Sequence, residues 1–284
     1  MRPLVAVLAA VLVLFLPTAP AFAAPVALQP PTAPADVDID IDFTGTVSLR
    51  GCSGSVVRPP EHQPSDPALV MTNGHCVRFM GPDEVAVDEH ADRVFRLLDK
   101  DGDGSLGSLH ASRLAYATMS GTDVALYRLT ATYAEVEALG TRVLELSPDH
   151  PVAGAEIRVV SGYWRRIYSC HVDGFVHELR EGQWTWRDSI RYTKPCDPKS
   201  GTSGSPVLDV ATGKVVAINN TGNEDGERCT TNNPCEVDAD GEVTVREGIR
   251  YGQQTYQIVP CLTGGGRVDL TAPGCGLPRP KTTS

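Results

Sequence analysis

The sequence predicts an all-β fold, and three observations carry that prediction. Short Val-rich runs recur between clusters of Gly, Pro, Asn and Asp, with 27 Gly and 22 Pro supplying turn positions. The runs follow one another at fairly regular spacing, the pattern of a barrel or a sandwich. Neither a Rossmann-type glycine run nor a fixed-period repeat interrupts them. A chain of 284 residues that is 41% hydrophobic is long enough to bury one or two cores.

Taken in order, the chain opens on an export address. Met1-Arg2 is positive, Leu4 to Leu16 is apolar and uncharged, and Ala21-Phe22-Ala23 offers small residues for cleavage. Residues 1–23 therefore read as a signal peptide and the mature protein as secreted, extracellular and soluble. The apolar run is short for ~30 Å of hydrocarbon, no Cys follows it, and no second stretch approaches spanning length. Residues 24–43 read as a pro-segment or flexible arm: 24–36 are rich in Pro and Ala, and 37–42 alternate Asp with Val or Ile like an edge strand.

Strands are expected over 45–50, 53–58, 67–72, 84–87, 94–98, 106–115 and 122–128, with a helical turn at 135–139. After a linker at 148–155, further strands are expected over 155–160, 164–171, 174–179, 188–192, 206–210, 214–219, 242–246 and 255–259. The segment from 263 is a Gly- and Pro-rich tail. A net charge of −10 argues against a nucleic-acid partner.

Cys52, Cys76, Cys170, Cys196, Cys229, Cys235, Cys261 and Cys275 form an even set, which in an exported chain reads as disulfides. Zinc is the competing reading, and the chain has neither a paired C-x-x-C nor H-E-x-x-H.

Three local signatures carry chemistry. In Ala68-Leu-Val-Met-Thr-Asn-Gly-His75-Cys76 an apolar strand ends in a turn that holds His75 beside a Cys, and a base needs such fixed orientation. In Gly121-Thr-Asp123-Val-Ala-Leu-Tyr, Asp123 enters an apolar strand, where a carboxylate is costly without a partner. In Gly201-Thr202-Ser203-Gly204-Ser205-Pro206, small residues leave room for a substrate carbonyl and free backbone N–H groups to face an oxyanion. Each has a plainer alternative: a structural His, a turn Asp and a polar loop.

Together, in the chain order His, Asp, Ser, they resemble the chymotrypsin-family (trypsin-like) serine peptidases over roughly residues 44–262. The Ser motif resembles the bacterial secreted branch that includes glutamyl endopeptidases. The resemblance implies two six-stranded antiparallel β-barrels with the active-site cleft between them. It implies that Ser203 is the nucleophile, His75 the general base and Asp123 its orienting carboxylate, with the N–H groups of Gly201 and Ser203 as oxyanion hole. The expected activity is a serine endopeptidase acting on polypeptide substrates through an acyl-enzyme, as a monomer needing no cofactor. A catalytically silent binding protein and an esterase with the same triad are the alternatives. Cys52–Cys76 matches the family bridge beside the catalytic His; by order, Cys170 pairs with Cys196, Cys229 with Cys235 and Cys261 with Cys275.

Departures from the family bear on activation and specificity. Animal trypsins carry an Asp where this chain has Thr202, so a salt-bridge activation switch is not expected. Ser205 and Gly74 stand where trypsins have Gly and Ala. Asp197 lies where trypsins place the acid that binds Lys or Arg, although a loop Asp before Pro198 is the plainer reading. Asn219, Asn220 and Gly222 fall in the stretch resembling the pocket strand; glutamyl-specific relatives have a His near Asn219, and its lack weighs against strict Glu specificity.

Asp99, Asp101 and Asp103 open a stretch like an EF-hand loop, making a weak calcium candidate. His110 replaces the closing Glu and strand-like residues flank the run, so a plain hairpin turn is favoured and no metal site is expected. His171 and His177 read as surface residues, and Trp164, Trp184 and Trp186 as packing or rim residues of the second barrel.

Overall fold

Thirteen of the strands below alternate buried and exposed positions or are buried on both faces, and that difference sorts them into barrel wall and barrel interface. The structure, a computed structural model, describes residues 39–281; residues 1–23, expected to be a signal peptide, and residues 24–38 of the expected arm lie outside them.

The first barrel is built from β1 (Thr46–Leu49), β2 (Cys52–Arg58), β3 (Pro67–Thr72), β5 (Val94–Leu98), β6 (Ser105–Thr118) and β7 (Val124–Thr132). Antiparallel pairing runs β1-β5-β6-β7-β3-β2 and returns from β2 to β1, closing the ring. β4 (Val85–His90) lies outside the ring on β6, and the two-residue β8 (Leu144–Glu145) runs parallel to β2. The second barrel uses β9 (Glu156–Ser161), β10 (Arg166–Glu181), β11 (Trp184–Tyr192), β12 (Pro206–Asp209), β13 (Val215–Gly222) and β16 (Arg250–Gln254). Its pairings run β10-β11-β16-β13-β12-β9 and back to β10, a second closed antiparallel ring. β14 (Cys235–Val237) and β15 (Val243–Val245) extend β10 as a flap. β17 (Leu262–Thr263) and β18 (Arg267–Val268) form a small separate hairpin. Closing both sheets removes the open edges that favour aggregation.

Period-two alternation decides what each strand covers. In β3, Val70 joins the first barrel's core with Val47, Val56 and Phe95, while Leu69 and Met71 face the other way. That second layer also holds Val160, Leu208, Val215 and Ile218 of the second barrel, so β3 is buried on both faces. Each fully buried aliphatic side chain contributes ~1.5–3 kcal/mol. The second barrel's own interior is filled by Val159, Val172, Ile190, Tyr192 and Val207.

Several expectations shift. The strand expected at 255–259 is a turn and a 3-10 helix, and the barrel strand is β16 at 250–254. The strands expected at 164–171 and 174–179 are one, because the chain at Asp173, between Val172 and Gly174, is a bulge in β10, not a turn. Residues 39–42 form no strand. Phe43, assigned to the arm, is buried over Gly102, and its N–H donates to the Lys100 carbonyl at 3.1 Å. The helical turn is α1 (Tyr133–Glu137), with Thr132 and Glu135 forming a capping box.

The eight cysteines form Cys52–Cys76, Cys170–Cys196, Cys229–Cys235 and Cys261–Cys275, the pairing expected from the sequence. The last holds the tail, where Leu277 is buried and the Tyr116 hydroxyl donates to the Pro278 carbonyl at 2.8 Å. The 99–105 run is the turn between β5 and β6. Its three carboxylates do not converge: among the described residues, the one group of three potential ligand atoms within 4.8 Å is Cys52, His75 and Cys76, two of which share a disulfide.

Candidate active site

His75 sits in the short 3-10 turn Gly74–Cys76 that ends β3, and the Cys52–Cys76 bridge ties that turn to the start of β2. The turn approaches the neighbouring strand so closely that a Cβ on Gly74 would lie 2.1 Å from the Thr118 carbonyl oxygen. Only glycine fits, and this explains why Gly74 stands where trypsins have Ala.

Asp123 precedes β7 and is fully buried. Both its oxygens are turned to one residue. His75 Nδ1 is 2.7 Å from Oδ2, and the His75 backbone N–H donates to Oδ1 at 3.1 Å. The Asn73 side-chain amide donates to the Asp123 carbonyl at 2.8 Å, locking the two turns together. The pairing assigns the Nδ1 proton to the Asp123 bond and leaves Nε2 for the cleft. Burial alone would lower the pKa of His75. The charge of Asp123, its hydrogen bond and the charge of Glu181 outweigh burial and hold it above the ordinary 6.5.

Ser203 lies between β11 and β12, on the second barrel. Its carbonyl accepts from the Ser53 N–H of β2 at 2.8 Å and the Gly201 carbonyl from the Ser53 hydroxyl at 3.4 Å, so Ser53 joins the serine turn to the first barrel. Gly204 has φ +82°, and a Cβ there would meet the Ser53 carbonyl oxygen at 2.1 Å. The Ser203 hydroxyl donates to the Asn220 carbonyl at 3.3 Å. Among the hydrogen bonds of the described residues, the Gly201 and Ser203 N–H groups have no protein acceptor. Ser205 is fully buried behind the turn.

His75, Asp123 and Ser203 line one cleft between the barrels, together with Asn219, Asn220 and Gly222. Asn219 is buried and turns its amide inward, donating to the Thr202 hydroxyl at 2.9 Å. Thr202 in turn donates to the Lys199 carbonyl at 2.6 Å. Asp197 already has a basic partner: Arg250 Nε and Nη2 hold one of its oxygens at 3.1 and 2.8 Å. Arg250 lines the cleft, whereas Asp197 does not.

Sequence reasoning missed Arg250, Glu181 and Phe79. Phe79 is 73% exposed and stacks on His75 with ring centroids 6.5 Å apart. Glu181 is buried; it accepts from the Thr221 hydroxyl at 2.6 Å and from the Asn232 N–H at 2.9 Å. Burial raises its pKa, against the pull of those hydrogen bonds and of His75. No local motif marks these residues; Glu181 and Arg250 reach the cleft through strand register, and Phe79 through the loop that follows the His75 turn. Trp184 and Trp186 are buried and donate to the Met80 and Met119 carbonyls of the first barrel at 2.9 Å each, while Trp164 is exposed. His171 and His177 are exposed.

Residues 52–218 match the family model of the trypsin-like peptidase domain, a span containing His75, Asp123 and Ser203. A search of curated proteins returned no match. Among solved structures, the MamO protease domain from Magnetospirillum magneticum is similar with 15% identity and a TM-score of 0.49, covering 78% of this chain and 97% of that one. The active form of the Rv3671c protease from M. tuberculosis has 15% identity and a TM-score of 0.44, covering 81% of this chain and 89% of that one. The HtrA-type protease AlgW with decapeptide has 14% identity and a TM-score of 0.45, covering 76% of this chain and 53% of that one. On the family match, which spans more than half of its length, the chain belongs to the trypsin-like peptidase domain family.

Proposed function

We propose that this protein is an exported serine endopeptidase whose nucleophile is Ser203. The observation that supports this most is the buried Asp123 carboxylate 2.7 Å from His75 Nδ1, in a cleft that Ser203 also lines. A buried acid so placed holds the imidazole in one tautomer and stabilises it once protonated.

In the proposed reaction the Ser203 hydroxyl leaves the Asn220 carbonyl and turns to His75 Nε2. Oγ bonds to the scissile carbonyl carbon as its proton passes to Nε2. The carbonyl oxygen takes up the negative charge and is met by the N–H groups of Gly201 and Ser203. Nε2 then protonates the leaving amine as the C–N bond breaks. Water, deprotonated by the same nitrogen, hydrolyses the acyl-enzyme and restores Ser203. In this reading residues 1–23 direct export, 24–42 form the arm ahead of the buried Phe43, and 44–262 carry the activity.

The test is turnover of unfolded protein substrates by wild type, Ser203→Ala and His75→Ala. The proposal expects both variants to lose activity by at least about a thousandfold, as when members of such a unit are removed. Turnover retained by Ser203→Ala contradicts it.

A further inference from the structure

Glu181 is a buried acid of the cleft. Among the described residues no Lys or Arg pairs with it; His75 is the one basic group that acts on it. A buried carboxylate without a cationic partner is costly, and a Gln could serve the two hydrogen bonds it makes. Those bonds occupy one acceptor position on each oxygen, and a carboxylate offers about four.

The surroundings of Glu181 suit a cation. Glu181 and Trp184 are directly opposed in the β10–β11 hairpin, so both project from the same face. Trp184 packs against Phe79 with ring centroids 6.0 Å apart, and Phe79 stacks on His75. All four side chains line the cleft that holds Ser203. An acid flanked by aromatic faces combines charge pairing with cation–π attraction. The acid expected to serve basic residues, Asp197, is already held by Arg250. Glu181 is therefore the cleft carboxylate without an internal cationic partner.

We infer that Glu181, Trp184 and Phe79 form a subsite beside His75 that takes a Lys or Arg side chain of the substrate, at a position next to the scissile residue. The inference rests on the cleft being the peptide-binding site proposed above. The substrate's ammonium or guanidinium completes the hydrogen bonding of Glu181, and its methylene stem lies along Phe79 and Trp184.

The experiment profiles cleavage of peptides that interchange Lys, Arg and norleucine at each position around the cut, using wild type and Glu181→Gln. Thr221 can turn its hydroxyl to accept from the new amide, so the variant keeps its local bonding. Wild type is expected to prefer the cationic residues over norleucine at one non-scissile position by about tenfold or more, the ratio that ~1.4 kcal/mol supplies. Glu181→Gln is expected to bring that ratio close to one. A wild-type ratio near one at every position, or a preference that survives Glu181→Gln, overturns the inference. Failure of the peptidase reading shows separately, as a protein that cuts nothing. Calorimetric affinities of the same lysyl and norleucyl peptides for Ser203→Ala, with Glu or Gln at 181, then decide the subsite. Equal affinities overturn it, and a lysyl preference lost with Gln sustains it.

Discussion

Asn219 and Thr202 close the serine turn on each other: the Asn219 amide donates to the Thr202 hydroxyl at 2.9 Å, and that hydroxyl donates to the Lys199 carbonyl at 2.6 Å. Both residues are buried. Thr202 stands where trypsins keep an activation Asp, and here a neutral hydrogen-bond chain holds the turn instead of an ion pair. Thr202→Val keeps the shape and removes both side-chain bonds, while the Asn219 amide keeps the Thr202 carbonyl at 3.2 Å and the Lys199 carbonyl keeps the Thr202 N–H at 2.9 Å. It is expected to cost ~0.5–1.5 kcal/mol, measured by chemical denaturation. A loss below ~0.5 kcal/mol with unchanged activity would show that the chain of bonds does not hold the turn.

The raised pKa of His75 sets the acid limb of activity. A base must be neutral, so kcat/KM should fall as pH drops through a value above 6.5. Stability runs with the opposite sign. A folded pKa above the unfolded value adds stability that is complete below pH ~6.5 and is lost as pH rises through the folded pKa. Glu181→Gln removes one negative charge acting on His75 and should move the acid limb downward. An acid limb at or below 6.5 in wild type contradicts this assignment.

Gly74→Ala drives a Cβ into the Thr118 carbonyl oxygen at 2.1 Å, backbone that cannot swing aside. The expected cost is ~1–3 kcal/mol with a matching displacement of His75 from Asp123, hence a fall in kcat. Thermal unfolding and turnover read the two effects. A variant as stable and active as wild type would mean that the turn shifts freely.

The β5–β6 turn should behave as a turn. A specific calcium site at a hundredfold its Kd adds ~2.7 kcal/mol, worth several degrees of Tm in a chain of this size. Melting with calcium and with chelator is expected to agree within about 1 °C. A shift of several degrees would assign Asp99, Asp101 and Asp103 to a metal.

The sequence made His75, Asp123 and Ser203 legible because each lies at the mouth of an apolar strand, with a local pattern around it. The disulfides were legible once the family resemblance ordered them. β16 was not, because Gln253 and Gln254 look like loop residues; buried, they donate to the Ser189 hydroxyl and the Asp188 carbonyl. The pairing of Asp197 with Arg250, 53 residues apart, and the packing of Phe79 on Trp184 each join a loop to a distant strand, which short-range periodicity does not encode.

The central claim is that Ser203 is an activated nucleophile, and covalent labelling tests it most directly. Folded wild type and Ser203→Ala are treated with a serine-directed phosphonate and weighed intact, and the adduct is mapped by digestion. The account predicts one adduct on wild type, located at Ser203, and none on Ser203→Ala. A folded wild type that takes up no label, or an adduct of equal yield on Ser203→Ala, would contradict it.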